Sequence, residues 1–344
     1  MNSSTHQSLK TAAHYPLLTI VMPCYNVEAY LNRGLESLAD KRFEGKLEVL
    51  IVNDGSTDET EQIAQSYVDA HPEIFRLITK ENGGHGSGIN TGIREASGLY
   101  FRILDGDDWV NTDNLFALLE RLVDIDSDMI VDEMTEVDMD SGNERFCELP
   151  SFIEVDTEQA FEEICNNEDT ESYISIHTLS VRTSLLRNFG IEVLEKVFYE
   201  DYEYIVKTTC YTKTVVFLRL NIYQYLVGNA NQSVAAENFV KRYDQHQRIV
   251  SELLDFASRT SFSPKIQDYL NKKIELIINT HYNILLIFDS DRARGRKRTN
   301  EFRRWLQDAH PTFAVATEKR YKQALVLHRL GFDQRRLDKF MGRS

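Results

Sequence analysis

From Leu17 onward, short aliphatic and β-branched runs alternate with stretches whose apolar residues recur every three or four positions. Leu17–Met22 (LLTIVM), Leu47–Asn53 (LEVLIVN), Phe75–Thr79 and Tyr100–Leu104 read as buried strands, and Met129–Val131 as a further short one. Ala29–Ala39, residues 58–70, Ile89–Ala96 and Asp113–Leu122 carry helical spacing, the first through Tyr30, Leu31, Leu35 and Leu38. Ser56-x-x-Glu59 has the form of a capping box at the head of the second helix. This strand–helix alternation predicts an α/β fold, a mostly parallel sheet with helices on both faces. Ligands of such sheets bind beyond the carboxyl ends of the strands, so the loops that follow each strand are where chemistry is expected.

Beyond about residue 140 the alternation fades. Residues 132–171 are strongly acidic with no dominant period, 172–189 and 197–212 look mixed, and Thr214–Leu226 reads as strands. From Phe239 nearly everything reads as helix, broken by little beyond Pro264 and Pro311. The sequence thus divides into a tail over 1–16, an α/β domain over 17–237 and a C-terminal helical region over 238–344. Within the last, Ile274–Phe288 is apolar but interrupted by Glu275, Asn279, His281 and Asn283, too short and too polar to span a bilayer. The first 15 residues lack an apolar core, so no classical secretory signal is visible.

Composition narrows this picture. With 344 residues, 42% hydrophobic and 10% aromatic, the chain can bury a sizeable core, which excludes wholesale disorder. Cys24, Cys147, Cys165 and Cys210 form no C-x-x-C pair, which argues against a zinc ribbon or disulfide framework and for a reducing cytoplasm. The net charge of −15 hides a split: residues 241–344 hold 22 Lys and Arg against 12 Asp and Glu, and residues 1–240 hold 17 against 42. The acidic body argues against a protein that coats nucleic acid along its length. The basic end, sharpest at Arg292-Ala293-Arg294-Gly295-Arg296-Lys297-Arg298, is either a solvated helical face or a contact for an anionic membrane or partner.

The loops after the strands hold the candidate chemistry. After the first comes Pro23-Cys24-Tyr25-Asn26, where the Tyr25 ring either stacks on a nucleobase or packs at a domain edge. After the second comes Asn53-Asp54-Gly55-Ser56-Thr57-Asp58; Asp54 is placed to accept from a base or ribose, while Ser56 or Asp58 suits a turn and cap. After the third comes Glu81-Asn82-Gly83-Gly84-His85-Gly86-Ser87-Gly88, whose glycines allow close backbone approach to a ligand. It lacks the G-K-[ST] of a phosphate-binding loop and the register of a dinucleotide fingerprint. After the fourth comes Asp105-Gly106-Asp107-Asp108-Trp109, three carboxylates that repel one another unless solvated or bound to a cation such as Mg²⁺ or Mn²⁺. Further on, Phe198-Tyr199-Glu200-Asp201 sets two carboxylates among aromatics, fit either to cap a helix or to act as a general base.

Taken together, TIVMPCYNVEAYL, VNDGSTDET, ENGGHGSGINTGI, LDGDDW, HTLSVRTSLLRNFGI and FYEDYEY resemble the inverting family 2 glycosyltransferases with a GT-A fold, over roughly residues 17–235. The resemblance implies a Rossmann-like sheet and a nucleotide-sugar donor, most often a UDP-sugar. It implies a donor-binding set of Pro23, Tyr25, Asn26, Glu28, Asp54, Asn82, Gly84, Asp105 and Gly106, with Tyr25 near the base and Asp54 on uracil. It makes Asp107 and Asp108 the ligands of Mn²⁺ or Mg²⁺, Asp201 the catalytic base and Glu200 its neighbour. It also implies a glycan or lipid-linked acceptor in cell-surface or exopolysaccharide synthesis, and a cytoplasmic protein with peripheral contact at the inner membrane face. A homodimer through the helical end is a further expectation, and no nucleic-acid partner is expected.

Two departures stand out. Gly88-Ile89-Asn90 replaces the Ala-Arg-Asn common in that family, and Leu226 replaces an Arg in NIYQYLVGNANQSVA, so another cation such as His85 or His177 is needed near the diphosphate. A nucleotidyltransferase is disfavoured because PCYNVEAYLNR lacks a glycine-rich loop. A sugar-nucleotide-binding scaffold without activity is the alternative that the missing Arg keeps open.

Overall fold

A computed structural model describes residues 15–167, 173–228, 236–334 and 336. The chain forms two units, one of Met1–Lys196 and Glu200–Asn229, the other of Val197–Tyr199 and Ala230–Ser344. Most of the tail over 1–16, the NANQSVA end of the Leu226 segment and the last basic residues lie outside the described residues.

In the first unit the fully buried strand β1 (Leu18–Cys24) lies between β2 (Leu47–Asn53) and β4 (Tyr100–Ile103), parallel to both, and β3 (Phe75–Thr79) extends β2 in parallel. Helices α1 (Leu31–Leu38), α2 (Thr60–Ala70) and α3 (His85–Glu95) make the crossovers, and α4 (Thr112–Leu122) follows β4. This is the parallel α/β unit expected from the alternation. It is extended by a mixed half built from β5 (Trp109–Val110), β6 (Met129–Asp138), β9 (Leu179–Arg182) and β10 (Thr214–Val227). The whole sheet runs β3-β2-β1-β4-β9-β6-β10-β5, with β7 (Glu144–Cys147) on β6 and β8 (Gln159–Ala160) on β10. Strand β9 is antiparallel to both β4 and β6, while β6 and β10 pair in parallel. Register shifts at Asn221 bend β10, a single 14-residue strand, so that its second half reaches β5. Helices α5 (Thr183–Asn188) and α6 (Glu200–Tyr211) complete the unit.

Apolar spacing explains the packing of α1 and α4. Leu31, Leu35 and Leu38 share one cluster with Leu115, Leu118, Leu119 and Leu122 and with the β1 face at Leu18, Ile20 and Met22. Two local expectations need correction. Ser56 does not cap α2: its Oγ accepts from Asn26 N, and Asp58 accepts from Thr60 N instead. Helix α3 starts at His85, four residues before the expected Ile89. Glycine disfavours helix, but here close approach wins. A Cβ on Gly88 would stand 2.7 Å from Pro23, so only glycine lets the helix lie directly on the end of β1.

Beneath the strand ends lies a fully buried ion pair. Arg102 of β4 donates to both oxygens of Asp132 on β6, at 2.5 and 2.9 Å, and also to Ser180 Oγ at 3.2 Å and His177 O at 2.6 Å. One guanidinium thus ties three neighbouring strands and holds the backbone of His177. Burial pushes the Asp132 carboxyl up to about 6 despite Arg102.

The second unit is helical: α7 (Tyr243–Arg259), α8 (Pro264–Asn283), α9 (Arg292–Ala309) and α10 (Glu318–Arg329). The apolar run serves as its core, with Ile274, Ile278, Tyr282 and Ile284 fully buried. Among the described residues no helix is long and apolar enough to cross a membrane. Arg294 and Arg298 of the basic run pair with buried Asp289, at 2.6 and 3.6 Å, while Arg292, Arg296 and Lys297 remain exposed.

Arg102→Met strands a buried carboxylate and is expected to lower unfolding stability by about 3–5 kcal/mol. Adding Asp132→Leu should restore most of that loss. Chemical denaturation of both variants tests this; an unchanged midpoint in the single variant would refute it.

Candidate active site

The loops after β1 and β2 are joined by reciprocal hydrogen bonds. Thr57 N donates to Asn26 Oδ1 at 2.8 Å, Glu28 N to Asp58 Oδ2 at 3.1 Å, and Glu59 N to Glu28 Oε2 at 2.8 Å. Asn26 and Glu28 therefore shape this junction, with Asn26 in the left-handed region at φ +53°. Tyr25 projects from it, 51% exposed. Pro23 forms the floor under α3.

Asp54, 2% exposed, is saturated by the loop after β3. Its carboxylate accepts from Lys80 Nζ (2.7 Å), Gly83 N (2.9 Å), Gly84 N (2.8 Å) and Ser87 Oγ (3.2 Å), and Asn82 Nδ2 donates to its carbonyl (2.9 Å). Asp54, Asn82 and Gly84 thus come together as one folded turn. Lys80 is the member that sequence reasoning passed over; a lysine directly after a strand and before a glycine run is the signal that was available. On its far side the turn is bound to residues 193–196. Lys196 N donates to Gly83 O at 2.8 Å, and Asn90 pairs with Val193 N and O, both at 2.9 Å. Gly86 lies so close that a Cβ would stand 2.4 Å from Leu194 O.

His85 stands where this turn enters α3. Its Nε2 is 2.9 Å from Asp105 Oδ1 and its Nδ1 is 2.8 Å from Glu200 Oε1, with Asp201 Oδ1 3.7 Å away. Burial works against charge on the ring, but the bonds to Asp105 and Glu200 outweigh it and hold the His85 pKa well above its ordinary value. Burial likewise opposes charge on Asp105, and there His177 and His85 prevail and keep its carboxyl well below the usual range. His177 Nε2 is 3.7 Å from Asp105 Oδ2, and its ring stacks on Tyr225 at 4.5 Å.

The three aspartates of the acidic turn have different surroundings. Asp108, 1% exposed, accepts from Tyr223 Oη at 2.6 Å and from Leu226 N at 2.7 Å, which ties the turn to β10. Burial, then the charges of Asp105 and Asp107, push its carboxyl well up. Tyr223 Oη also accepts from Asp105 N at 3.2 Å. Asp107 is partly buried and makes no hydrogen bond to another side chain among the described residues; burial and then Asp105 raise its pKa. Gly106 is buried against Val27 and Cys24. Beside the turn, Arg33 lies over the Trp109 ring, 3.1 Å from its centroid.

Glu200 and Asp201 open α6, where the positive end of the helix favours carboxylates. Glu200 is 3% exposed and its Oε2 has no hydrogen-bond partner among the described residues. The Asp201 side chain keeps 48% of its surface, but its Oδ1 is buried and without a hydrogen-bond partner among the described residues. Loss of water, then the charge of Glu200, push the Asp201 carboxyl up to about 7.

Asp105, Asp108 and His177 bring ligand atoms within 4.8 Å of one another, as do His85, Glu200 and Asp201. In the second set both ring nitrogens already face carboxylates. In the first set Asp108 keeps lone pairs beyond its two bonds, and neighbouring Asp107 adds a carboxylate with no side-chain partner among the described residues. The acidic turn therefore has the donor set of a hard divalent cation.

A family model described as Glycosyl transferase family 2 matches residues 19–188. Glycosyltransferase GlyA of Streptococcus pneumoniae is 27% identical over 221 residues, covering 63% of this chain and 31% of the relative. Putative glycosyltransferase EpsH of Bacillus subtilis is 24% identical over 306 residues, covering 84% and 81%. The chain thus spans about a third of the first relative and most of the second. The crystal structure of Staphylococcus aureus TarS 1–349 in complex with UDP-GlcNAc shares the fold, with a TM-score of 0.66, 21% identity and 92% of each chain covered.

Asp54→Ala leaves two backbone amides without their acceptor and takes the carboxylate from Lys80, which keeps its bonds to Glu81 O and Ser87 Oγ. We expect a loss of about 1.5–3 kcal/mol, from the worth of hydrogen bonds to a charged group. Melting with and without the substitution measures it; an unchanged melting temperature would show that the turn holds without the carboxylate.

Proposed function

We propose, for a chain that belongs to glycosyl transferase family 2 through residues 19–188, that it moves a sugar from a nucleotide donor to an acceptor hydroxyl with inversion at the anomeric carbon. One observation carries this reading. The acidic turn after β4 and the Glu200–Asp201 pair, about a hundred residues apart, meet across a single imidazole. A charge-binding group and a candidate base thus stand side by side at the strand ends, as a displacement with an anionic leaving group requires.

In this reading Tyr25 offers an exposed ring to the base of the nucleotide, and Asp105 faces its ribose. Asp54 takes the uracil contact implied by the resemblance, which requires it to share acceptor capacity now used by Gly83 and Gly84. A Mn²⁺ or Mg²⁺ ion held by Asp107 and Asp108 would supply positive charge against the diphosphate. Asp201 accepts the proton of the acceptor hydroxyl. The oxygen then bonds to the anomeric carbon while its bond to the diphosphate breaks, and the nucleoside diphosphate leaves. Lys80 and His85 provide the positive charge that the missing Arg would have given. We favour a UDP-sugar because the TarS structure that shares this fold holds UDP-GlcNAc. The acceptor is a glycan or lipid-linked intermediate of polysaccharide assembly at the inner membrane face, met peripherally through the exposed Arg292, Arg296 and Lys297.

Thermal melting with UDP-, GDP-, CDP- and dTDP-sugars, with and without Mn²⁺, tests the donor site. A ligand at about 100 times its Kd adds about 2.7 kcal/mol and raises the melting temperature. We expect a metal-dependent shift with a UDP-sugar; no shift with any of them favours a scaffold without activity. Asp201→Asn should keep that shift but lower transfer by about 10²–10⁴-fold. Because the base works only when deprotonated, kcat/KM in the parent enzyme should rise with pH and level off above about 7, where the Asp201 carboxyl titrates. Transfer that falls over the same range would exclude Asp201 as the base.

A further inference from the structure

We infer that Tyr199 is a positioning residue: its backbone, held in the left-handed region by an aromatic clamp, aims the first turn of α6 and with it Asp201. The inference rests on the sugar-transfer reading above and deepens it.

A backbone outlier stands directly before the two carboxylates. Tyr199 has φ +76°, in the region that glycine enters readily and a bulky side chain rarely does. Such a dihedral is costly, and it persists only where the surroundings over-determine it.

Those surroundings belong to the helical unit. The chain leaves the first unit at Val197 and returns to it at Glu200. The Tyr199 ring lies flat on Phe239, which sits on the short helix Ala236–Lys241, with centroids 4.6 Å apart and planes 6° from parallel. It also lies 5.5 Å from the ring of buried His246 on α7. Phe198 is fixed by the same group of residues: its N donates to Gln245 Oε1 at 3.0 Å, and the Arg242 guanidinium covers its ring at 3.5 Å. His246 in turn meets buried His281 of α8, Nδ1 to Nδ1 at 3.2 Å. The strained residue is thus clamped by side chains that rest on the core of the helical unit.

The torsions of Tyr199 set the direction in which the chain enters α6, and no residue stands between them and Glu200. Asp201 Oδ1 is buried and has no hydrogen-bond partner among the described residues. His85 Nδ1 stands 3.7 Å from it, beyond hydrogen-bond reach. No side-chain bond holds that oxygen, so the course of the backbone is what places it. A φ in the ordinary negative range at Tyr199 would redirect the chain at Glu200 and carry the base away.

Aim and packing can be separated in the full chain. Tyr199→Ala removes the clamp and leaves the positive φ unsupported. With the donor selected by melting, its kcat should fall about 10²-fold, the scale of a reacting group misplaced by about 1 Å. Tyr199→Phe keeps the ring and should recover most of that loss. Phe239→Leu keeps apolar bulk without the stack and should also lower kcat. The double variant Tyr199→Ala/Phe239→Leu should be no slower than Tyr199→Ala, because both changes open one clamp. A packing role would lower the melting temperature of these variants and leave kcat of the folded protein at the parent value. Crystal structures give a readout that needs no turnover. The Asp201 carboxylate should move by about 1 Å or more in Tyr199→Ala and stay in place in Tyr199→Phe. Parent kcat in folded Tyr199→Ala, or an unmoved Asp201 carboxylate, would overturn the inference; if that variant does not fold, Phe239→Leu is judged by the same two measurements. Absence of transfer in the parent protein, or full transfer in Asp201→Asn, would overturn the sugar-transfer reading instead, and the displacement of Asp201 would still decide the positioning role.

Discussion

Repulsion among carboxylates governs this domain. Asp105, Asp107 and Asp108 follow β4 directly, and the start of α6 adds Glu200 and Asp201 at the same place. Such a concentration of like charge, partly buried, is tolerable only if each group is compensated. The chain compensates each differently. Asp105 has two histidines, Asp108 has a tyrosine hydroxyl and a backbone amide, and Glu200 shares His85 with Asp105. Asp107 has no side-chain partner among the described residues, and the charge it adds is what a bound cation would answer.

The same logic organises the loops. A single carboxylate, Asp54, replaces the solvent around a glycine turn and fixes it from below through backbone amides and Lys80. The turn carries His85 to the acidic cluster. Arg102, fully buried, does comparable work one layer deeper, since its pairing with Asp132 also fixes the carbonyl of His177. Charge compensation thus runs from the core to the strand ends through residues on β4 and β6 and in the loops after β2, β3 and β4.

Much of the framework was legible in the sequence because short-range patterns encode it. The four parallel strands β1 to β4 and the helices between them follow from apolar runs alternating with helical spacing, and the acidic turn stood out because three carboxylates follow one hydrophobic strand. Of the mixed half, β6 and β10 were legible as Met129–Val131 and Thr214–Leu226, but their pairing was not. Strand β9 is four residues long and runs antiparallel between β4 and β6, a pairing that local periodicity does not encode. The start of α3 was misplaced because helix propensity disfavours a run of glycines, while close packing on β1 requires them. Arg102 reads as an oddity in YFRIL until Asp132 is seen beside it, thirty positions away. The bridging role of His85 depends on distances to residues 20 and 115 positions along the chain, which no motif spacing reports.

The contrast between the last two aspartates of the turn bears on how natural variation in this chain is interpreted. Asp107 and Asp108 are adjacent and chemically identical, but one makes no hydrogen bond to another side chain among the described residues and the other is bonded to Tyr223 and Leu226 of β10. A sequence survey would score both as positions of one acidic motif. Asp107 can be lost without breaking a side-chain bond seen among the described residues, whereas Asp108 stays constrained for as long as the tie to β10 is retained. A descendant with the second aspartate and without the first would keep the seam between turn and sheet and shed only the outlying charge.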